Sequence, residues 1–87
     1  MISYLKGNVL GIDEDRVLLE VQGVGYEIAV PISLLQKLSA AGGEIELFTH
    51  LHVREDLLQL YGFPTIQDRA MFRALLKARG IGPKVAL

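Results

Sequence analysis

Residues 50–63, HLHVREDLLQLYGF, decide the fold of this chain. Apolar and polar residues alternate on both sides of three consecutive charged residues, Arg54, Glu55 and Asp56. Alternation with a period of two is typical of half-buried strands. The stretch therefore predicts a β-hairpin whose tip carries adjacent carboxylates into solvent. Such a tip repels phosphate groups, because like charges repel one another.

Upstream of this hairpin the sequence predicts a small β-barrel. The same strand signals recur three times before a short helical stretch, which Pro31 could begin and which would place Ile32, Leu35 and Leu38 on one face. Three strands, a short helix and two strands form the layout of an OB-fold. The predicted fold class is mainly β, a five-stranded Greek-key OB-fold barrel in a domain at 1–64, with strands at 2–12, 16–21, 24–30, 44–53 and 57–63.

Downstream, residues 65–87 are predicted to open a second, helical domain. Thr65 and Asp68 have the spacing of a capping box in which Asp replaces the usual Glu or Gln, so a helix should begin here. Basic residues recur every fourth position as a stripe that we expect to be solvated, namely Arg69, Arg73 and Lys77. Without the rest of a domain to cover them, we expect Phe72, Leu75 and Leu76 on the apolar face to be exposed.

A glycine-rich motif follows the predicted helix. Arg79 precedes Gly80, Ile81, Gly82, Pro83 and Lys84. Two glycines permit a tight turn with exposed N–H groups, and a proline-started helix offers its N-terminus to an anion. The motif is therefore a candidate phosphate site in which the Lys84 ammonium takes part. A plain glycine C-cap followed by a proline-started helix explains the same residues without any ligand.

Composition and charge narrow the function classes. The 87 residues are 51% hydrophobic, contain no cysteine and carry a net charge of −1. Without cysteine we expect a reducing compartment, the cytoplasm, and neither a signal peptide nor a membrane span is predicted. Charge is segregated, since residues 1–64 hold four basic and nine acidic side chains (−5) and residues 65–87 hold five basic and one acidic (+4). A polyanion should therefore meet the C-terminal segment.

Four stretches together resemble the RuvA family of bacterial proteins that recognise Holliday junctions. They are MISYLKGNVLG, GVGYEIAVP, FTHLHVREDLLQLYGF and FRALLKARGIGPKVAL, and the resemblance spans essentially the whole chain. It implies an OB-fold that assembles as a homotetrameric platform and a domain of two helix-hairpin-helix motifs, of which only the start is present. It also implies a missing C-terminal domain that engages a RuvB-type hexameric ATPase motor.

The resemblance assigns roles to particular residues. Glu55 and Asp56 match the acidic pin near the four-fold centre of the family's tetramer, where the carboxylates would hold a four-way junction open. The phosphate contacts of the family's first helix-hairpin-helix motif correspond to Gly80, Ile81, Gly82 and Lys84. We expect support from nearby basic residues, which are Arg54, Arg69, Arg73, Lys77 and Arg79. The implied function is a non-catalytic junction-binding subunit in recombination and repair, with a RuvC-type junction resolvase as a further possible partner.

Two other interpretations stay open. An enzyme would use His50 and His52 as metal ligands with a tip carboxylate, although no nucleophile or base accompanies them. A generic single-stranded nucleic-acid-binding OB-fold would need aromatic platforms and a basic groove, which the acidic N-terminal part does not favour. No phosphate-binding loop of the form G-x-x-x-x-G-K-[ST] occurs, so ATP hydrolysis would belong to a partner. No cofactor and no metal are predicted.

Overall fold

The computed structural model describes residues 1–38, 43–78 and 87. It contains five strands and two helices, which are β1 (Tyr4–Asp13), β2 (Arg16–Val21), β3 (Val24–Ala29), α1 (Ile32–Lys37), β4 (Glu44–Arg54), β5 (Leu57–Phe63) and α2 (Ile66–Lys77). The predicted β2 and β5 have the observed bounds, and the other strands differ by one or two residues at their ends. Period-two alternation located these strands correctly because each has one face turned to the core.

The five strands close into a barrel in the order β1-β2-β3-β5-β4. Neighbouring strands are antiparallel, and β4 completes the ring by pairing with β1. The exception is β5, which returns beside β3 and runs parallel to it. This closed, mainly β Greek-key barrel confirms the predicted OB-fold class.

Local backbone features let the strands turn and curve. Gln22 and Gly23 have φ values of 51° and 89° and form the tight turn between β2 and β3, as the primed hairpin turns require. In β1 the pairing with β2 shifts register between Val9 and Gly11. A bulge of this kind bends the strand and increases its twist, which helps a short sheet to close.

The barrel wall separates two apolar clusters. The first fills the interior and consists of Leu5, Val9, Val17, Leu19, Ile28, Val30, Leu47 and Leu60. The second lies outside the wall and consists of Ala29, Tyr61, Phe63 and Phe72. Paired positions on the parallel strands explain the division, because Ile28 pairs with Leu60 and faces inward, while the next pair, Ala29 and Tyr61, faces outward.

Helix α1 is short and packs against the interior cluster of the barrel. It begins after Pro31, which is the N-cap, with φ −61° and ψ 149°. Leu34, Leu35 and Leu38 pack against the interior cluster, whereas Ile32 is 73% exposed. Ile32 therefore takes no part in this contact. In a helix of six residues, the position next to the cap lies outside the turn that contacts the barrel.

Helix α2 docks on the outside of the barrel against β4 and β5. Thr65 caps its N-terminus, as predicted, with its hydroxyl accepting a hydrogen bond from the Asp68 N–H at 3.0 Å. Phe72 is only 1% exposed and belongs to the outer cluster, and Leu76 packs against the same cluster. The prediction that these residues are exposed is wrong for Phe72, because the outward faces of β3 and β5 supply a packing partner within the chain itself.

Within the described ranges, neither helix has the length and apolar character needed to cross a membrane.

Candidate nucleic-acid interface

The β4–β5 hairpin ends in the acidic tip, which we define as Glu55 and Asp56. Arg54 pairs with Leu57 across the strands, so the two acidic residues alone form the turn. Both carboxylates are exposed, and neither takes part in an ion pair found in the described part of the chain. Their negative charges are thus available to act on molecules in solvent.

The hairpin extends past its neighbours in the barrel. Strand β1 pairs with β4 only as far as Phe48, and β3 pairs with β5 only at Leu60 and Tyr61. The outer part of the hairpin is therefore a two-stranded projection. Near its end, the cross-strand partners Val53 and Leu58 are 60% and 71% exposed. The projection thus places an exposed apolar pair directly beneath the two carboxylates.

Two of the predicted basic residues are half-buried and hydrogen-bonded to the barrel. Arg69 Nη1 donates to the Ser3 carbonyl at 2.7 Å and lies 3.5 Å from the Thr49 carbonyl. Its guanidinium lies 6.0 Å from the centre of the Phe48 ring. Arg73 Nε donates to Nδ1 of His50 at 3.2 Å. The prediction of a solvated stripe is wrong for Arg69 and Arg73, because hydrogen-bond acceptors at the barrel surface meet this side of α2.

The remaining basic residues have different positions. Lys77 is exposed in the last turn of α2, and Arg54 is exposed at the end of β4. Five predicted site residues lie outside the described residues, so their placement stays a prediction; they are Arg79, Gly80, Ile81, Gly82 and Lys84.

The contact between α2 and β4 contains an aromatic and histidine cluster that the sequence did not reveal. The His50 ring meets Phe72 edge-on, with ring centres 5.6 Å apart. The rings of Tyr61 and Phe63 pack against Phe72 at a tilt, with ring centres 5.2 and 4.8 Å away. His52 lies 6.4 Å from both His50 and Tyr61. No local sequence signal predicts this cluster, because it forms only when α2 packs on the outer face of the β4–β5 hairpin.

Protonation is disfavoured at His50. Burial, followed by the nearby Arg73 guanidinium and then by His52 and Arg69, lowers the pKa of His50 from its ordinary value of 6.5. Burial raises the pKa of Tyr61 in the same cluster.

The geometry does not favour the metal-ligand interpretation of the two histidines. Arg73 places a cationic donor on the Nδ1 lone pair of His50, where a metal ion would bind. Across the described ranges, no three His, Cys, Asp or Glu side chains are grouped as metal ligands.

An exposed aromatic residue, Tyr4, lies on β1 and is 45% exposed. Its ring packs against Phe48 with centres 5.4 Å apart, and its hydroxyl donates to Glu46 at 2.8 Å. That hydrogen bond, with a smaller effect of desolvation, raises the pKa of Tyr4. An aromatic ring held beside a carboxylate is a poor stacking platform for nucleic acid, since the carboxylate repels the adjoining phosphates.

Comparison with known proteins agrees with the fold and the hairpin. The family described as the RuvA N-terminal domain matches residues 1–62. The chain is 49% identical to a protein of Thioalkalivibrio sulfidiphilus, 51% to one of Herpetosiphon aurantiacus and 52% to one of Photorhabdus laumondii. Each bears the name Holliday junction branch migration complex subunit RuvA.

All 87 residues are aligned in these three comparisons, and they correspond to 43%, 44% and 42% of the relatives' lengths. The chain thus spans less than half the length of the relatives it matches. Because the family match covers most of the chain and includes the acidic hairpin and all of the barrel except its last residue, Phe63, the chain belongs to the RuvA N-terminal domain family.

Proposed function

We propose that this chain is the barrel portion of a non-catalytic subunit that binds four-way junction DNA and supports branch migration during recombination and repair. The acidic tip is the observation that carries the proposal. Two adjacent carboxylates project on a hairpin, without an ion-pair partner among the described residues, from a barrel that is itself negatively charged. Such a surface does not serve to hold duplex DNA, and its role is to repel phosphates at one place.

Repulsion becomes useful when several copies act together. In a homotetramer with the tips near the four-fold axis, eight carboxylates would face the point where the strands exchange. At physiological ionic strength their field reaches roughly 8 Å before screening reduces it. It would therefore act on the crossover and leave the arms unaffected. The exposed Val53 and Leu58 pair supports this assembly, because apolar contact between neighbouring hairpins would bring the tips together.

Attraction for DNA would come from the C-terminal segment. We propose that residues 65–87 open a helix-hairpin-helix domain, with phosphate contacts from Lys77 and from the motif at Gly80, Ile81, Gly82 and Lys84, supported by Arg79. Backbone N–H groups and ammonium groups position DNA without reading its sequence. Arg69 and Arg73 would contribute less, since their guanidinium groups are hydrogen-bonded to the barrel. Arg54 would moderate the charge of the tip beside it.

The energy for branch migration would come from a partner. The chain has no nucleotide-binding loop of the P-loop type. We therefore propose a RuvB-type hexameric ATPase as the motor, engaged through a part of the subunit outside this sequence, and a RuvC-type junction resolvase as a further partner.

The test compares binding of a four-way junction and of linear duplex with the same sequence, by gel shift at low and moderate salt. We expect selective, salt-sensitive binding to the junction. The variant Glu55→Gln/Asp56→Asn should bind duplex more tightly and lose part of its preference for the junction. Equal binding of both DNA forms by the unchanged chain would refute the proposal.

A matched control distinguishes the effect of the tip carboxylates on DNA binding from the effect of net charge. Asp13→Asn/Glu14→Gln removes two exposed carboxylates at the β1–β2 turn and changes the net charge by the same amount. We expect this variant to keep the preference for the junction. A similar loss of preference in both variants would show that overall charge, and not the tip, is responsible.

A further inference from the structure

We propose that His50 and Arg73 form a pH-sensitive latch that fixes the direction in which α2 leaves the barrel. The latch consists of the hydrogen bond from Arg73 Nε to His50 Nδ1, 3.2 Å long. It joins the middle of α2 to the middle of β4, beside the Phe72 ring that anchors the helix. His50 and Arg73 are thus positioning residues, whose role is to orient whatever follows α2.

The direction of the hydrogen bond determines the protonation state of the closed latch. Arg73 has only donors, so His50 Nδ1 must supply a lone pair, and the ring proton of the neutral imidazole lies on Nε2. An imidazolium has N–H groups at both nitrogens and cannot accept this bond. It would also place a positive charge against the guanidinium. Protonation of His50 and closure of the latch therefore exclude each other.

The surroundings of His50 add to this effect. On α2, Arg73 and Arg69 both face it with positive charge, and on β4 it faces His52. Strand β5 contributes Tyr61, which meets His52 edge-on. None of these named neighbours brings a carboxylate that would stabilise an imidazolium.

The sign of the pH dependence follows from linkage. When α2 is docked the pKa of His50 is lowered, and when α2 is released it returns towards 6.5. Below that value the released state binds more protons than the docked state, so docking weakens as pH falls. Above it both states are neutral and docking is independent of pH. The latch is thus closed near neutral pH and opens in mild acid.

Arg69 supports the same orientation without being sensitive to pH in this range. Its guanidinium joins α2 to the Ser3 carbonyl, and the Thr49 N–H donates to that same carbonyl at 2.9 Å. This second attachment holds the start of α2 when the latch opens. Release should therefore begin at the C-terminal half of the helix, from which the predicted DNA-binding motif continues.

The test is amide hydrogen exchange of the 87-residue chain, measured by NMR between about pH 7 and about pH 5. Protection is the intrinsic exchange rate at each pH divided by the observed rate. We expect protection of the α2 amides to fall by up to about tenfold per pH unit below the ordinary pKa of histidine, the limit for one linked proton. Amides of the interior barrel strands should keep their protection and serve as the internal reference.

Two variants show which histidine causes the pH dependence of α2 protection. His50→Gln keeps an acceptor for Arg73 but cannot be protonated, so α2 should stay protected at every pH. His52→Gln removes the other histidine of the chain and should leave the pH dependence in place. Arg73→Met should lower the protection of α2 even at neutral pH.

Three results would overturn the latch. They are pH-independent protection of α2 in the unchanged chain, a parallel loss in the barrel strands, and pH dependence that survives His50→Gln. The latch does not rest on the proposed function, and its test contains no DNA. Failure here leaves junction binding intact, and failure of junction binding leaves the latch intact.

Discussion

Replacing Phe72 with alanine should release α2 from the barrel without unfolding the barrel. The side chain is 1% exposed and its ring lies 4.8 Å from Phe63 and 5.2 Å from Tyr61 between ring centres. Truncating a buried phenylalanine costs about 3–5 kcal/mol. The other apolar residue of α2 in this contact is Leu76, which is only partly buried. Losing Phe72 therefore removes most of the free energy that docks the helix.

The location of Phe72 explains why the barrel should survive. The interior cluster has eight buried residues, and neither these nor the partly buried residues packed against them come from α2. Because about 1.4 kcal/mol corresponds to a factor of ten, amide protection in α2 should fall by roughly a hundredfold or more, up to the limit set by complete undocking. Protection of the interior strands should change far less, since local release of a helix need not pass through global unfolding.

Hydrogen exchange of both chains at neutral pH measures this difference, and the neighbouring residue provides the control. Met71 is 64% exposed on the same turn of α2. Met71→Ala should change protection by no more than about 0.5 kcal/mol, as is usual for surface positions. Equal loss of protection in α2 and in the barrel strands of Phe72→Ala would refute the reasoning, because it would show that helix and barrel form one cooperative unit.

Two further predictions concern the barrel itself. A Cβ at Gly7 would collide with the Glu20 backbone carbonyl, so Gly7→Ala should push β1 from β2 and lower the urea midpoint, whereas Gly11→Ala, with open space around it, should have little effect. The Thr49 hydroxyl is fully buried and donates to the Ile2 carbonyl at 2.8 Å. Thr49→Val should therefore cost about 1–2 kcal/mol in urea unfolding, and an unchanged midpoint would show that this hydrogen bond contributes nothing net.

The strands could be predicted from sequence because their signals are local. Alternation places β2 and β5 at their observed bounds, and Gln22-Gly23 marks a turn that needs positive φ at both positions. The acidic tip was found for the same reason, since two carboxylates between alternating runs can only lie at the turn. Each of these predictions depends on residues within a few positions of one another.

The orientation of α2 could not be predicted, because it depends on partners elsewhere in the chain. Adjacent positions on this helix have opposite environments, with Phe72 buried and Met71 exposed, and hydropathy does not separate them. Arginines also lie on the contact side, since the Ser3 carbonyl and the His50 ring provide acceptors there. A polar stripe was therefore interpreted as a solvated face when it is part of the interface. Only the three-dimensional pairing of β4 with β1 and β5 places those acceptors on the surface that α2 contacts.

This arrangement changes what the positive charge of the C-terminal segment can do. Of its five basic side chains, Arg69 and Arg73 contact the barrel, which leaves Lys77 and the residues after it to meet a polyanion. Attraction would then lie beyond the end of α2 and repulsion at the acidic tip, with packed helix and barrel between them. In the latch proposal, Phe72 and the His50–Arg73 hydrogen bond orient the end of α2 on the barrel in the absence of DNA.

A loss of DNA affinity on substituting Arg73 would consequently not identify a phosphate contact. Removing a contact to one phosphate reduces the slope of log affinity against log salt by about 0.9. Misdirecting α2 would weaken binding to the junction while the contacts that remain keep their number, so that slope would stay nearly unchanged. The salt dependence of an Arg73 variant, beside that of Lys77→Gln, thus distinguishes a residue that binds DNA from one that positions the residues that do.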